Sequence, residues 1–300
     1  MSLVDFFHQQ LPGPTESVTT DFHQNAPALQ RLSAMWDGVV KDFLRGGSPW
    51  NAEIKSWVDA YRGKAVATKR VNDAIPEPFI GRLDRQPKAT LLALNPGTAF
   101  MGAERWMGRK LMPDLQSRYG KFSEEIKAGD GSYTTWAKQP LDWVKLNGGS
   151  PHPFVTSRMR FLNDWLSPDV IEADEIVWMD LYPWHSKSWS SIDIRNPEVC
   201  RLIDLYVAQP IGALDAPTFA FGKAWFDVLP AIGFTMRLEL GGPGTNLWEN
   251  QTPSRYVGIF ENIVNGSQVI AMHHSGAAGP PKQSEVASLR RLVETKLAQF

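Results

Sequence analysis

Four short apolar runs of strand length, residues 89–94, 175–181, 218–221 and 269–272, punctuate this chain, with stretches of helical periodicity between them. A strand without polar alternation is one buried on both faces, and such strands alternating with helices build parallel βαβ units. The expected fold is therefore α/β: three layers, with helices on both faces of a central, mostly parallel four-stranded sheet. Ligands of open parallel sheets bind beyond the carboxyl ends of the strands. Three of the runs carry a polar residue at that end, Asn95, Asp180 and His273, where a purely structural strand would simply turn.

Before the first run, apolar residues recur at helical spacing over residues 22–45 (Leu29, Leu32, Met35, Trp36, Val39, Val40, Phe43) and again over 52–69 (Ile54, Trp57, Val58, Tyr61), with the breakers of GGSPW between them. Residues 1–85 are expected to form a helical extension packed on a main domain of residues 86–300. Within that domain, helical pieces are expected near 103–120, then over 157–166, 196–208, 222–229 and 282–297. Residues 236–240 and 255–260 read as a hairpin. Pro197 suits the first turn of its helix.

With 43% hydrophobic residues in 300, the chain can bury a substantial core. The single cysteine, Cys200, excludes internal disulfides and an iron–sulfur cluster, which needs several thiolates. No apolar stretch reaches membrane-spanning length and the first residues lack a signal-peptide pattern, so a cytoplasmic protein is expected. Acidic and basic residues nearly balance, 32 against 31, so contact with nucleic acid would need a local basic face.

Taken singly, each strand-end feature has a plain reading: Asn95-Pro-Gly as a turn, His273-His-Ser as a satisfied or surface group, Asp180 as a loop cap. Taken together they carry a resemblance. LLALNPG (residues 91–97) resembles the first motif of the uracil-DNA glycosylase superfamily, in the branches that use asparagine there, and HHSG (273–276) is similar to the second. TSRMRF (156–161) and VWMDLYP (177–183) resemble the intervening segments of the single-strand-selective monofunctional branch. The resemblance covers about residues 90–297. Two positions depart from it: His274 replaces a proline, and Asp180 stands where uracil-reading enzymes carry asparagine.

The resemblance implies a DNA glycosylase that hydrolyses the N-glycosidic bond of a flipped base and leaves an abasic site. Asn95 would hold the attacking water and His273 would donate to the base as it gains charge. Asp180, Gly97, Thr98, Phe100 and His274 are the expected base-binding residues; Ser275, Lys187, Ser186 and Arg105 are the expected DNA contacts. No metal and no cofactor are implied, and a monomer acting on DNA is expected. A carboxylate offers acceptors and, when protonated, a donor as well, so Asp180 suits cytosine better than uracil. The small residues Thr98, Ala99 and Gly102 leave room for a substituent. These features resemble the anti-phage glycosylases that excise glucosylated hydroxymethylcytosine.

Other readings stay open: a uracil or damaged-base repair enzyme, a Ser275–His273–Asp180 hydrolase without a nucleophile elbow, a nucleotide site at the GGPGTN loop (241–246), or a non-catalytic nucleic-acid-binding protein of the same fold.

Overall fold

The computed structural model describes residues 26–63, 75–96, 105–106, 109–110, 126–138, 153–166, 171–186, 189–241, 256–273 and 279–298. Its centre is a mixed sheet of seven strands: β1 (Phe79–Ile80), β2 (Ala89–Ala93), β5 (Ile176–Asp180), β6 (Thr218–Phe221), β7 (Phe234–Gly241), β8 (Tyr256–Asn262) and β9 (Gln268–His273), in the order β1-β5-β2-β6-β9-β8-β7. The four apolar runs pair in parallel as β5, β2, β6 and β9. The expectation of a four-stranded sheet is corrected by three antiparallel additions. β1 joins one edge, and the β7–β8 hairpin is not separate but continues the sheet from β9.

Strand side chains alternate between two cores. Leu92, Val177, Met179, Ala220, Val269 and Ala271 face one, built with α1 (Pro27–Leu44), α2 (Lys55–Asp59), α3 (Tyr133–Ala137), α5 (Pro197–Ile203) and α7 (Ala224–Ala231). Leu91, Ala93, Trp178, Phe219, Phe221, Ile270 and Met272 face the other, covered by α4 (Pro153–Leu166) and α8 (Gln283–Leu297) through Leu162, Trp165, Leu289 and Val293. Period-two alternation on a doubly covered sheet leaves neither face polar, which is why the strands read as unbroken apolar runs.

The described part of the first 85 residues, 26–63 and 75–85, contributes to the core and to the sheet. α1 buries Leu29, Leu32, Trp36, Val39, Val40 and Phe43 in the first core. At about 1.5–3 kcal/mol each, this burial is on the order of 10 kcal/mol before chain entropy, as large as the net stability of a whole domain. Trp36, Trp57 and Trp184 pack tilted or edge-on with centroids 5.7–6.4 Å apart, and Trp184 Nε1 donates to the Pro49 carbonyl at 2.7 Å. Asp37 on α1 accepts from the Thr134 backbone N–H and the Ser132 hydroxyl, tying α1 to the start of α3. β1, also within the first 85 residues, is a strand of the sheet.

Three local expectations change. Around residues 103–120 the described backbone is a two-stranded ribbon, β3 (Arg105–Trp106) with β4 (Arg109–Lys110), not helix. Of the helix expected over 52–69, the described residues up to 63 form only the short α2, and Tyr61 bridges to Ile192; residues 64–69 lie outside the described residues. The helix from Pro197 does not stop near 208: it passes through a π-turn, Asp204–Ala208, into α6 (Gln209–Leu214). Its start is as expected, with Pro197 in the first turn and the Asn196 side chain accepting from the Glu198 N–H, a cap worth about 1 kcal/mol. Among the described residues no helix is long and apolar enough to cross a membrane.

Candidate active site

The chain leaves β2 toward β5 on one side of the sheet and leaves β6 toward β9 on the other, so the carboxyl ends of β2 and β6 flank the topological switch point. A crevice opens there because the connections on its two sides run in opposite directions. Asn95 follows the end of β2. His273 ends β9, two strand spacings or about 10 Å from β2. Between them β6 is followed by Gly222, whose φ of +117° is a conformation that favours glycine and whose N–H donates to the Met272 carbonyl.

Register sets the depths. Ala93 pairs with Asp180, Leu92 with Ala220, and Phe221 with Met272. Asp180 is therefore level with Ala93, Phe221 and Met272, while His273 stands one residue further out and Asn95 two, steps of roughly 3 and 7 Å along the strands. Asp180 is the deepest of the three and lies on β5, on the far side of β2 from His273. Asp180 follows Trp178 on the face of the second core; His273 follows Ala271 on the face of the first. No described contact joins the three.

Asn95 is held from behind. Its Nδ2 donates to Ser186 Oγ at 2.8 Å, and Ser186 Oγ is 3.0 Å from the Tyr61 hydroxyl. Tyr61 in turn stacks on Tyr182 at 4.3 Å. The commitment of Nδ2 leaves Oδ1, an acceptor, as the atom available to a water. Ser186, expected as a phosphate contact, is 0% exposed and bonded to Asn95, so it positions the asparagine and does not face DNA. His273 is 8% exposed, with its ring edge-on to Tyr256 at 5.1 Å and Tyr256 edge-on to Phe226 at 4.5 Å.

Asp180 is 5% exposed, and its Oδ1 has no hydrogen-bond partner among the described residues. Burial pushes its pKa well above the usual carboxylate range. The neighbouring Glu77 charge pushes the same way, and Arg158 opposes. Glu77 is itself buried, its Oε1 3.1 Å from His185 Nε2. Arg158, on α4, lies over Trp178 at 4.9 Å and Phe221 at 5.7 Å; burial pulls its pKa down to about 9, so it still carries its charge at neutral pH. The same two carboxylates, behind burial itself, raise the pKa of the Tyr133 phenol, whose hydroxyl donates to the Phe79 carbonyl at 2.6 Å.

Gly97, Thr98, Phe100, Lys187, His274 and Ser275 lie outside the described residues, as do Ala99, Gly102 and the side chain of Arg105. Tyr61 and Glu77 were not anticipated. Glu77 had a signal, a lone carboxylate in the apolar segment IPEPFI leading into β1; Tyr61 had none, because its partner Ser186 is 125 positions away. Among the described residues no three His, Cys, Asp or Glu side chains are grouped to hold a metal ion. Comparison with known families, with curated proteins and with solved structures finds no match.

Proposed function

We propose that this protein is a monofunctional DNA glycosylase of uracil-DNA glycosylase-like architecture, removing a flipped, modified cytosine and leaving an abasic site. The observation that carries the reading is that Asn95 and His273 stand at the carboxyl ends of β2 and β9, the two strands that flank β6 at the switch point, with the buried Asp180 at the end of β5, the neighbour of β2 on its other side.

Breaking an N-glycosidic bond develops positive charge on the sugar and negative charge on the base. Asn95, oriented by Ser186, presents Oδ1 to the attacking water. An amide is too weak a base to remove the proton early, so the reaction leans on stabilising the departing base. His273 donates to the base oxygen as that charge grows. Cytosine is a poor leaving group because its N3 carries no hydrogen. A protonated Asp180 donates to N3 and accepts from the exocyclic amino group, which favours departure; uracil already carries a hydrogen at N3 and gains nothing from the acid. The raised pKa of Asp180 supports this assignment.

The test is excision from DNAs containing uracil, cytosine, hydroxymethylcytosine or glucosylated hydroxymethylcytosine, read as alkali-labile sites, with Asn95→Ala as the control. Cleavage confined to modified-cytosine DNA is the expected result. Cleavage of uracil DNA alone replaces the assignment with a repair enzyme, and binding without cleavage of any DNA replaces it with a non-catalytic nucleic-acid-binding protein.

A further inference from the structure

A cavity of about 440 Å³ lies between two walls, the segment of residues 189–194 and α7. Its volume is that of a site for a whole small molecule. Among the described residues its lining is aromatic and aliphatic, led by Trp189, Ile192, Phe226 and Pro230, with Ser191 and Asp227 as the polar members. Asp227 is the one charge in that described lining and is not neutralised. It makes no hydrogen bond or ion pair among the described residues, Lys223 one helical turn before it included. On the side of the other wall, Arg62 and Arg195 are committed to Asp193. A second carboxylate, Glu239 of β7, pairs across the hairpin with Gly258, the residue whose missing side chain makes room for Phe226: a Cβ there would stand 2.8 Å from that ring. Burial pushes the Tyr256 phenol's pKa up, and the charges of Asp227 and Glu239 push the same way; its ring is edge-on to Phe226 at 4.5 Å.

We propose that this cavity binds a small organic ammonium ion, its alkyl groups among the aromatic and aliphatic lining and its charge toward Asp227. The negative face of an aromatic ring attracts a cation, and an alkylammonium carries apolar surface to bury as well. Trp189 and Phe226 supply the rings, and Asp227 supplies the counter-charge. An anion would meet only that carboxylate, and a neutral apolar molecule would leave it without a partner. The walls are already fixed. The Arg62 N–H donates to the Ser191 carbonyl at 2.8 Å and the Asp193 N–H to the Ala60 carbonyl at 2.9 Å, while Trp225 and Leu229 anchor α7 in the core. A preformed pocket binds without the cost of ordering its walls. This site is separate from the strand-end residues and does not depend on the glycosylase reading.

The experiment is calorimetric titration of the full chain with choline and with its uncharged carbon isostere, in which a tert-butyl group replaces trimethylammonium. The ratio of the two affinities is the readout, since a general structural defect weakens both. Expected is a preference of about tenfold or more for choline, weakened by added salt. Asp227→Asn should remove most of that preference; Trp189→Ala should abolish choline binding and Trp189→Phe should keep most of it. Asp227 is exposed, so its substitution does not threaten the fold. Equal binding of the two probes, no binding of choline, or a preference unchanged in both Asp227→Asn and Trp189→Ala overturns the proposal. A trimethyllysine peptide that binds more tightly than choline by about tenfold or more overturns the free ion in favour of a protein side chain.

Discussion

The Asn95 amide nitrogen and the Ser186 hydroxyl are hydrogen-bonded at 2.8 Å, which commits Nδ2 and leaves the acceptor oxygen Oδ1 outside that bond. Removing the amide in Asn95→Ala should lower kcat by roughly 10²-fold, because the attacking water loses the group that positions it. Ser186→Ala should be milder, roughly tenfold in kcat with KM unchanged, because the asparagine remains but its orientation is no longer set. It should also cost about 1 kcal/mol of stability for the lost hydrogen bond to Tyr61. Single-turnover excision and urea unfolding separate the two effects.

Asp180 faces Glu77 from the segment before β1, Arg158 from α4 and Tyr133 from α3, with His185 bonded to Glu77. Excision that needs the protonated acid should be fully present below the folded pKa of Asp180 and fall as pH rises through it. Neutralising Glu77 in Glu77→Gln removes a charge that raises that pKa, so the alkaline limb should move to lower pH. A limb that stays in place, or moves upward, would break the link between the two carboxylates.

Stability follows the same linkage. A carboxyl whose folded pKa is raised is fully favourable below its unfolded value, about 3.9, and its contribution is lost as pH rises toward the folded pKa. Asp180→Asn should therefore stabilise the protein at pH 7, with the gain shrinking as pH falls toward about 4. The measurement is the urea midpoint of both proteins across that range.

On the proposed glycosylase reading, replacing His273 with alanine removes the donor to the departing base and should lower kcat by about 10²–10³, with a small effect on KM. The fully buried His273 neighbour Met272 should not behave this way, and Met272→Leu serves as the control in the same kinetic assay.

Trp184 lies between Trp36 and Trp57 and directly precedes His185 and Ser186. Trp184→Ala should cost about 3–5 kcal/mol, read from urea unfolding. A chain beginning after residue 63 loses α1 and α2 with their share of the first core and should show no cooperative unfolding transition.

Strand positions and strand ends were legible because burial on both faces forces uninterrupted apolar runs, and each run must stop where the chain reaches solvent. Asn95, Asp180 and His273 stood out for that reason, and so did the helices whose apolar stripes cover the sheet. The register that sets Asp180 deeper than His273 and Asn95 was not written in any local segment, because parallel pairing joins strands some 50–130 residues apart. The same holds for the site's supports. Tyr61 reaches Ser186, and Glu77 reaches His185, across more than a hundred residues of chain.

Sequence alone determined the four buried parallel strands, the main helices that cover them and the polar residues at the strand ends, since periodicity and burial act over a few residues at a time. Only the tertiary structure decided that β1 and the hairpin extend the sheet, that Ser186 turns inward to hold Asn95, and that a second buried carboxylate stands beside Asp180, because hydrogen bonds and charge pairs across the fold depend on distances that chain order does not encode.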